Sequence, residues 1–133
     1  MKVVVDTSVW SLALRRRVPV ASSHVELLND LIRDGRVVLP GIVRQELLSG
    51  IRHPQQLDRL RRQLRAFPDA PMEIADHETA AEYYNACMAA GVHGSAVDYL
   101  ICAYATRREF HVLTADPDFQ QYSRQIPIQL LNP

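Results

Sequence analysis

The stretch VVVDTSVW, residues 3–10, decides how the chain is read. Val3, Val4 and Val5 form a β-branched apolar run without alternation, the pattern of a strand covered on both faces. The run stops at a carboxylate, Asp6, and two hydroxyls follow, Thr7 and Ser8. Val9, Trp10, Leu12, Ala13 and Leu14 then take helical spacing up to Arg15-Arg16-Arg17. Asp6 sits at the joint between strand and helix and has two readings. Either it caps the helix, since Asp is a preferred N-cap, or it belongs to a site.

Outward from this joint the two periodicities alternate. Ser23 and Glu26 form a capping box for a helix with Val25, Leu28, Leu31 and Ile32 on one face, ended by Gly35. Val37–Leu39 reads as a second short strand, closed by Pro40 and Gly41. Ile42, Val43, Leu47 and Leu48 mark a helix ending at Gly50. Pro54 opens another, with Leu57, Leu60, Leu64 and Phe67 as its apolar stripe and Arg59, Arg61, Arg62 and Arg65 turned away. Pro68 and Pro71 break the chain, and residues 72–75 read as a short strand. A helix is expected from Thr79 to Ala90, stopped by Gly91. Val97, Leu100, Ile101, Tyr104 and Ala105 are spaced for the next. Phe110–Thr114 is a strand, Pro117–Ser123 a helical turn or two, and Ile126–Leu131 a last strand.

This order predicts one α/β domain over residues 1–133, with a mostly parallel central sheet and helices on both faces. In such sheets ligands bind beyond the carboxyl ends of the strands. Asp6 lies at one such end. Asp116 lies at another, two residues past the strand Phe110–Thr114.

A chain of 133 residues is one domain by length and buries a core without disulfides. With 15 basic and 15 acidic residues the net charge is zero, which argues against nucleic-acid binding through an overall basic charge but leaves room for a basic face. Lys2 is the only lysine among the basic residues. Arg suits bidentate phosphate contacts, but genomic base composition is the simpler account of the bias and takes the larger share. Cys87 and Cys102 have no C-x-x-C partner and read as reduced, packed thiols. The first residues are too short a route to Asp6 for a leader, and no run approaches the ~18 apolar residues of a membrane span. A soluble, cytoplasmic protein without a membrane partner is the expectation.

Four acids need explaining, and each has a structural reading of its own. Asp6 is a helix cap. Glu46, in RQELLSG, is a solvated helix residue. Asp98 completes an S-x-x-D box with Ser95. Asp116 precedes Pro117 at a helix start, with Asp118 in the first turn. The combination is less easily explained. Two acids follow strands, and two lie on helices that begin near the same sheet edge. Carboxylates in one crevice repel, and a divalent cation resolves the repulsion. All-oxygen ligands favour Mg²⁺ or Mn²⁺ over Zn²⁺. None of the histidines pairs at metal-ligand spacing; His93, just before Gly94-Ser95, is the one placed near the crevice.

V-D-T-S after the first strand, Q-E-L-L-S-G, V-D-Y-L-I-C-A-Y-A and L-T-A-D-P-D-F together resemble the PIN domain, in its order and spacing and over nearly the whole chain. More narrowly the chain looks like the VapC-type toxins of prokaryotic toxin–antitoxin pairs. The resemblance implies that Asp6, Glu46, Asp98 and Asp116 are the catalytic acids, with Asp118 as a helper and Thr7 and Thr114 as supporting hydroxyls. Tyr99 and Cys102 are variants at tolerant positions. Ala115 and Pro117 stand where the family often has a basic residue. The resemblance further implies a Mg²⁺- or Mn²⁺-dependent endoribonuclease acting on RNA, a homodimer, and a small antitoxin that covers the acidic groove. In that scheme Asp6, Asp98 and Asp116 hold the cation, and Glu46 either holds a second ion or orients the attacking water.

Rival readings fare less well. A receiver domain needs a second acid beside the strand-end Asp and a later Lys. A haloacid-dehalogenase-like phosphatase needs D-x-D where Asp6-Thr7-Ser8 stands. A P-loop is absent. A catalytically inactive PIN-fold binding module and a housekeeping PIN nuclease remain as the alternatives.

Overall fold

A computed structural model describes residues 1–15, 21–68 and 70–133. Arg16 and Arg17 of the basic run lie outside the described residues. In chain order the elements are β1 (Val3–Val5), α1 (Thr7–Leu14), α2 (Ser23–Arg33), β2 (Val37–Val38), α3 (Gly41–Leu48), α4 (Pro54–Leu64), α5 (Ile74–Ala89), α6 (Ala96–Arg107), β3 (His111–Leu113) and α7 (Asp118–Tyr122). The three strands form one parallel sheet in the order β2-β1-β3. Val3 is in register with both Val37 and His111, and Val5 with Leu113.

The central position of β1 explains its composition. Val3, Val4 and Val5 are all 0% exposed, so both faces of the strand are covered and no polar residue has a place in it. The chain leaves β1 through α1 and α2 to reach β2 on one side. It then crosses back through α3 to α6 to reach β3 on the other side. Right-handed crossovers running in opposite directions put the two helix sets on opposite faces. α2 packs on β2, and α6 packs on β1 and β3. This is the α/β arrangement expected, and β1 is the strand at which the connections change direction.

Four local expectations need correction. Residues 72–75 are not a strand. Glu73 and Asp76 make a reciprocal capping box that opens α5 at Ile74, five residues before Thr79. Ile126–Leu131 carries only an isolated bridge between Val112 and Leu130; Pro127 offers no donor, and the Ile128 amide turns back to the Ile126 carbonyl at 2.9 Å. β2 and β3 are shorter than expected. The cap of α2 is Ser22, whose hydroxyl accepts from the His24 amide at 3.2 Å, so Glu26 falls one residue past the box position.

The turn into α6 is as the sequence suggests. α5 ends in a Schellman motif: the Val92 amide donates to the Cys87 carbonyl at 2.8 Å, and the Gly91 amide to Met88 at 3.0 Å. Gly91 takes φ +76°, which a side chain would strain. The chain then reaches Ser95, whose hydroxyl accepts from the Asp98 amide at 3.1 Å and starts α6.

Candidate active site

The register of the sheet brings Asp6 and the segment after β3 together. The Asp6 amide donates to the Leu113 carbonyl at 2.8 Å, so the residues just beyond the two strands lie side by side. Asp6 is 5% exposed. Its Oδ2 accepts from the Ser8 hydroxyl at 2.7 Å, the Thr114 hydroxyl at 2.9 Å and, at a long 3.4 Å, the Ser8 amide. Asp6 is therefore the cap of α1, as one reading held, but the hydroxyl bonds are much shorter than the cap bond. With both hydroxyl protons on Asp6, the 3.3 Å separation of Ser8 Oγ and Thr114 Oγ1 is a contact and not a further hydrogen bond.

The same hydroxyls pass the order on. Thr114 Oγ1 accepts from the Asp116 amide at 3.0 Å, and Ser8 Oγ from the Ala115 amide at 3.0 Å. Asp116 Oδ1 then accepts from the Asp118 amide at 2.9 Å, at the first turn of α7. Asp118 thus acts on Asp116 through its backbone, while its own side chain is exposed.

Glu46 reaches the group from α3. Its Oε1 accepts from the Thr7 hydroxyl at 2.7 Å, a contact across 39 residues. Thr7 therefore supports Glu46 and not Asp6. Asp98 comes from the first turn of α6, and its Oδ2 accepts from the Tyr122 hydroxyl at 2.7 Å. Burial raises the Asp98 carboxyl above its ordinary value of 3.8. The Tyr122 and Ser95 bonds pull it down, and the negative charges of Asp6 and Asp116 push it up. Asp6, Asp98 and Asp116 are thus within electrostatic reach of one another.

One pattern runs through the four acids. Each has an oxygen tethered by a hydroxyl or a backbone amide, and in Asp6, Glu46 and Asp116 the other oxygen takes no hydrogen bond among the described residues. None of the four forms an ion pair among those residues. Nor do any three acid, His or Cys side chains among them stand close enough to form a ready-made cage for an ion. Mg²⁺ is typically held by one or two carboxylates with the rest of its shell water, so a preformed cage of three is not required. Hard oxygen donors with free lone pairs, mutual repulsion at Asp98 and no competing cation are a donor set that fits a hard divalent ion.

Two residues that hold this arrangement have no assignment from the sequence alone: Ser8, visible there only as a hydroxyl, and Tyr122, which carries no local signal. His93 is exposed, and Arg15, Arg59, Arg61, Arg62 and Arg65 are exposed as well. Arg61 and Arg62 both pair with Asp58, at 3.7 and 2.9 Å, as a solvated helix face does.

Several solved structures share the fold. The crystal structure of FitAcB from Neisseria gonorrhoeae is 22% identical, with a TM-score of 0.76 over 98% of this chain and 97% of that one. VapBC2 from Rickettsia felis, bound to a DNA fragment from its promoter, is 16% identical, with a TM-score of 0.77 over 100% and 99%. VapBC-5 from Mycobacterium tuberculosis, of the VapBC family of toxin-antitoxin systems, is 18% identical, with a TM-score of 0.71 over the full length of both chains. No curated protein matches the sequence. Among protein families the PIN domain matches residues 3–125, and the chain belongs to that family.

Proposed function

We propose that this PIN domain is a divalent-metal-dependent endoribonuclease and the toxin of a VapBC-type toxin–antitoxin pair. The observation that carries the nuclease reading is the set of four carboxylates, each tethered through an oxygen by neutral donors and none paired with a cation among the described residues. An arrangement that leaves so much negative charge uncompensated costs stability. It is useful where a metal ion completes it.

In this reading Asp6, Asp98 and Asp116 would hold Mg²⁺ or Mn²⁺, directly or through the waters of its shell. The ion, when bound, supplies a water of lowered pKa and neutralises charge that develops on the phosphate. Ser8 and Thr114 fix Asp6 by donating to one oxygen, so the other keeps its direction. Thr114 also fixes the backbone at Asp116. Glu46, held by Thr7, orients the attacking water or assists a second ion. Single-stranded or looped RNA suits this reading, because its backbone and bases are not locked in a duplex and can be presented to the acids. Arg15, Arg59 and Arg62 line one open depression with His53, and this basic surface suits the RNA backbone.

The toxin assignment rests on the VapBC and FitAB likenesses, whose fold this chain shares. The partner in this reading is a small antitoxin that covers the acidic crevice. Ile74, Tyr84 and Met88 leave apolar surface exposed along α5, which favours a homodimer. No helix among the described residues is long and apolar enough to cross a membrane, and the site of action in this reading is the cytoplasm.

The test is cleavage of a labelled RNA by the purified protein. Mn²⁺ or Mg²⁺ should support cleavage, EDTA should stop it, and Asp6→Asn and Asp98→Asn should each abolish it. Undiminished cleavage in EDTA would remove the metal mechanism.

A further inference from the structure

We propose that Tyr122 is the positioning residue for Asp98, and that Gly94 lacks a side chain so that Tyr122 can stand there. The inference rests on the metal-nuclease reading above and adds to it the group that aims one of its acids.

Asp98 occupies the third position of α6, and its amide already bonds to Ser95. The usual use of its carboxylate there is to fold back on the Ser95 amide and close the box. No such bond forms. The carboxylate instead takes the Tyr122 hydroxyl at 2.7 Å, from a helix 24 residues further on. The ring that carries the hydroxyl is packed among aromatic side chains. Tyr122 is 1% exposed, and its ring lies 5.1 Å from both Tyr99 and Phe119. A phenylalanine would fill this space without a polar atom to satisfy. The oxygen is needed only if Asp98 is to be held.

Gly94 supports the same conclusion from another direction. A Cβ there would lie 2.5 Å from the Tyr122 hydroxyl and 2.7 Å from both its Cζ and the Tyr99 hydroxyl. Two phenols therefore close over a bare stretch of backbone. Tyr99 donates to the Val92 carbonyl at 3.4 Å, and Tyr122 to Asp98. A side chain at position 94 would require one of these phenols or the backbone beneath them to shift.

The placement also links two acids through one short element. α7 holds Asp116 through the Asp118 amide at its start and Asp98 through Tyr122 at its end. Acids from distant parts of the chain are thus set relative to each other by five residues, Asp118–Tyr122. A ligand carboxylate fixed in this way keeps one oxygen for the ion and does not have to be reoriented on binding.

The test is calorimetric titration of Mn²⁺ into the full chain, for wild type, Tyr122→Phe and Phe119→Leu, each also melted in EDTA. Tyr122→Phe should weaken Mn²⁺ binding by about 10- to 100-fold, the usual effect of removing a group that orients a ligand. Its cleavage rate should fall at low Mn²⁺ and recover towards saturation, with KM for RNA unchanged. Phe119→Leu removes packing from the same helix; it should lower the melting temperature and keep the Mn²⁺ affinity. Should Tyr122→Phe fail to fold, Gly94→Ala, which crowds the hydroxyl, is read the same way, with Tyr99→Phe as the control for the second phenol it crowds. Mn²⁺ affinity in Tyr122→Phe equal to wild type overturns the inference, and so does a loss in both variants that merely follows their stability. A folded wild type that binds no Mn²⁺ removes the metal reading itself, and this inference with it.

Discussion

Asp6 and Asp76 are the two buried acids among the described residues, at 5% and 0% exposure, and their surroundings are opposite. Asp76 Oδ1 accepts from Arg107 and Arg108, both at 2.7 Å, and its Oδ2 from Arg108 at 3.0 Å and the Glu73 amide at 2.7 Å. Arg108 also lies 3.7 Å over the Tyr104 ring and bonds Glu73 at 3.0 Å. Burial alone would raise the Asp76 carboxyl. The Arg108 bond, the Glu73 amide and Arg107 outweigh it and hold the group well below the usual carboxylate range. Asp6 has only hydroxyls and an amide, all on one oxygen. Its neighbour Asp98, facing Asp6 and Asp116, is pushed the other way by burial and by their charge. An acid that serves the fold is surrounded by cations: here it ties the start of α5 to the end of α6. In the proposed function, an acid left with neutral partners is the one available for a ligand. The pairing of a buried carboxylate, more than its burial, separates the two uses.

The largest expected effect separates the two regions by activity. Asp98→Asn should cost cleavage at least about 10³-fold, which corresponds to roughly 4 kcal/mol of transition-state stabilisation. Asp76→Asn should leave the rate per folded molecule unchanged, as assayed with labelled RNA well below the melting temperature. Comparable losses in both variants would break the comparison.

Stability should show the reverse order. Asp76→Ala leaves two guanidinium groups without their buried partner, and the loss should be about 3–5 kcal/mol in urea denaturation. Asp98→Asn should hold or raise stability in EDTA, because it removes a charge that its neighbours repel. A large destabilisation by Asp98→Asn in the absence of metal would make Asp98 a structural acid after all.

The smallest effect is in pH. The folded value of Asp76 is depressed, so its contribution is fully present above the ordinary 3.8 and is lost as pH falls below it toward the folded value. The folded value of Asp98 is raised, so its contribution is present below 3.8 and is lost as pH rises through the folded value. In EDTA, stability plotted against pH should therefore lose its low-pH decline in Asp76→Asn and its higher-pH decline in Asp98→Asn. Unchanged profiles in both variants would contradict the assignment of opposite environments.

Much of this was legible in the sequence, for reasons that differ by residue. Val3–Val5 was readable because a strand covered on both faces has no polar position, and Asp6 because it ends that run. The start of α5 was hidden. Its box uses Glu73 and Asp76 in place of Ser or Thr, and Ile74, 81% exposed, looks like a strand residue and is not in the core. The last segment was misread because Pro127 interrupts a run whose apolar pattern otherwise suits a strand. Within the crevice, the acids announce themselves by position, but their partners do not. Thr7 turns to Glu46 and Tyr122 to Asp98 across 39 and 24 residues, and only the folded chain shows which hydroxyl meets which acid.

Four melting curves test the central claim most directly: wild type and Asp6→Asn, each in EDTA and in millimolar Mn²⁺. Asn caps a helix as well as Asp does, so the substitution spares the cap and removes the charge. The account predicts that Asp6→Asn melts at or above the wild-type temperature in EDTA. It also predicts that Mn²⁺ stabilises the wild type by RT ln(1 + [L]/Kd), about 2.7 kcal/mol at one hundred times Kd, and that the variant loses most of that gain. An equal Mn²⁺-induced shift in both proteins would contradict it, and would return Asp6 to the role of a helix cap.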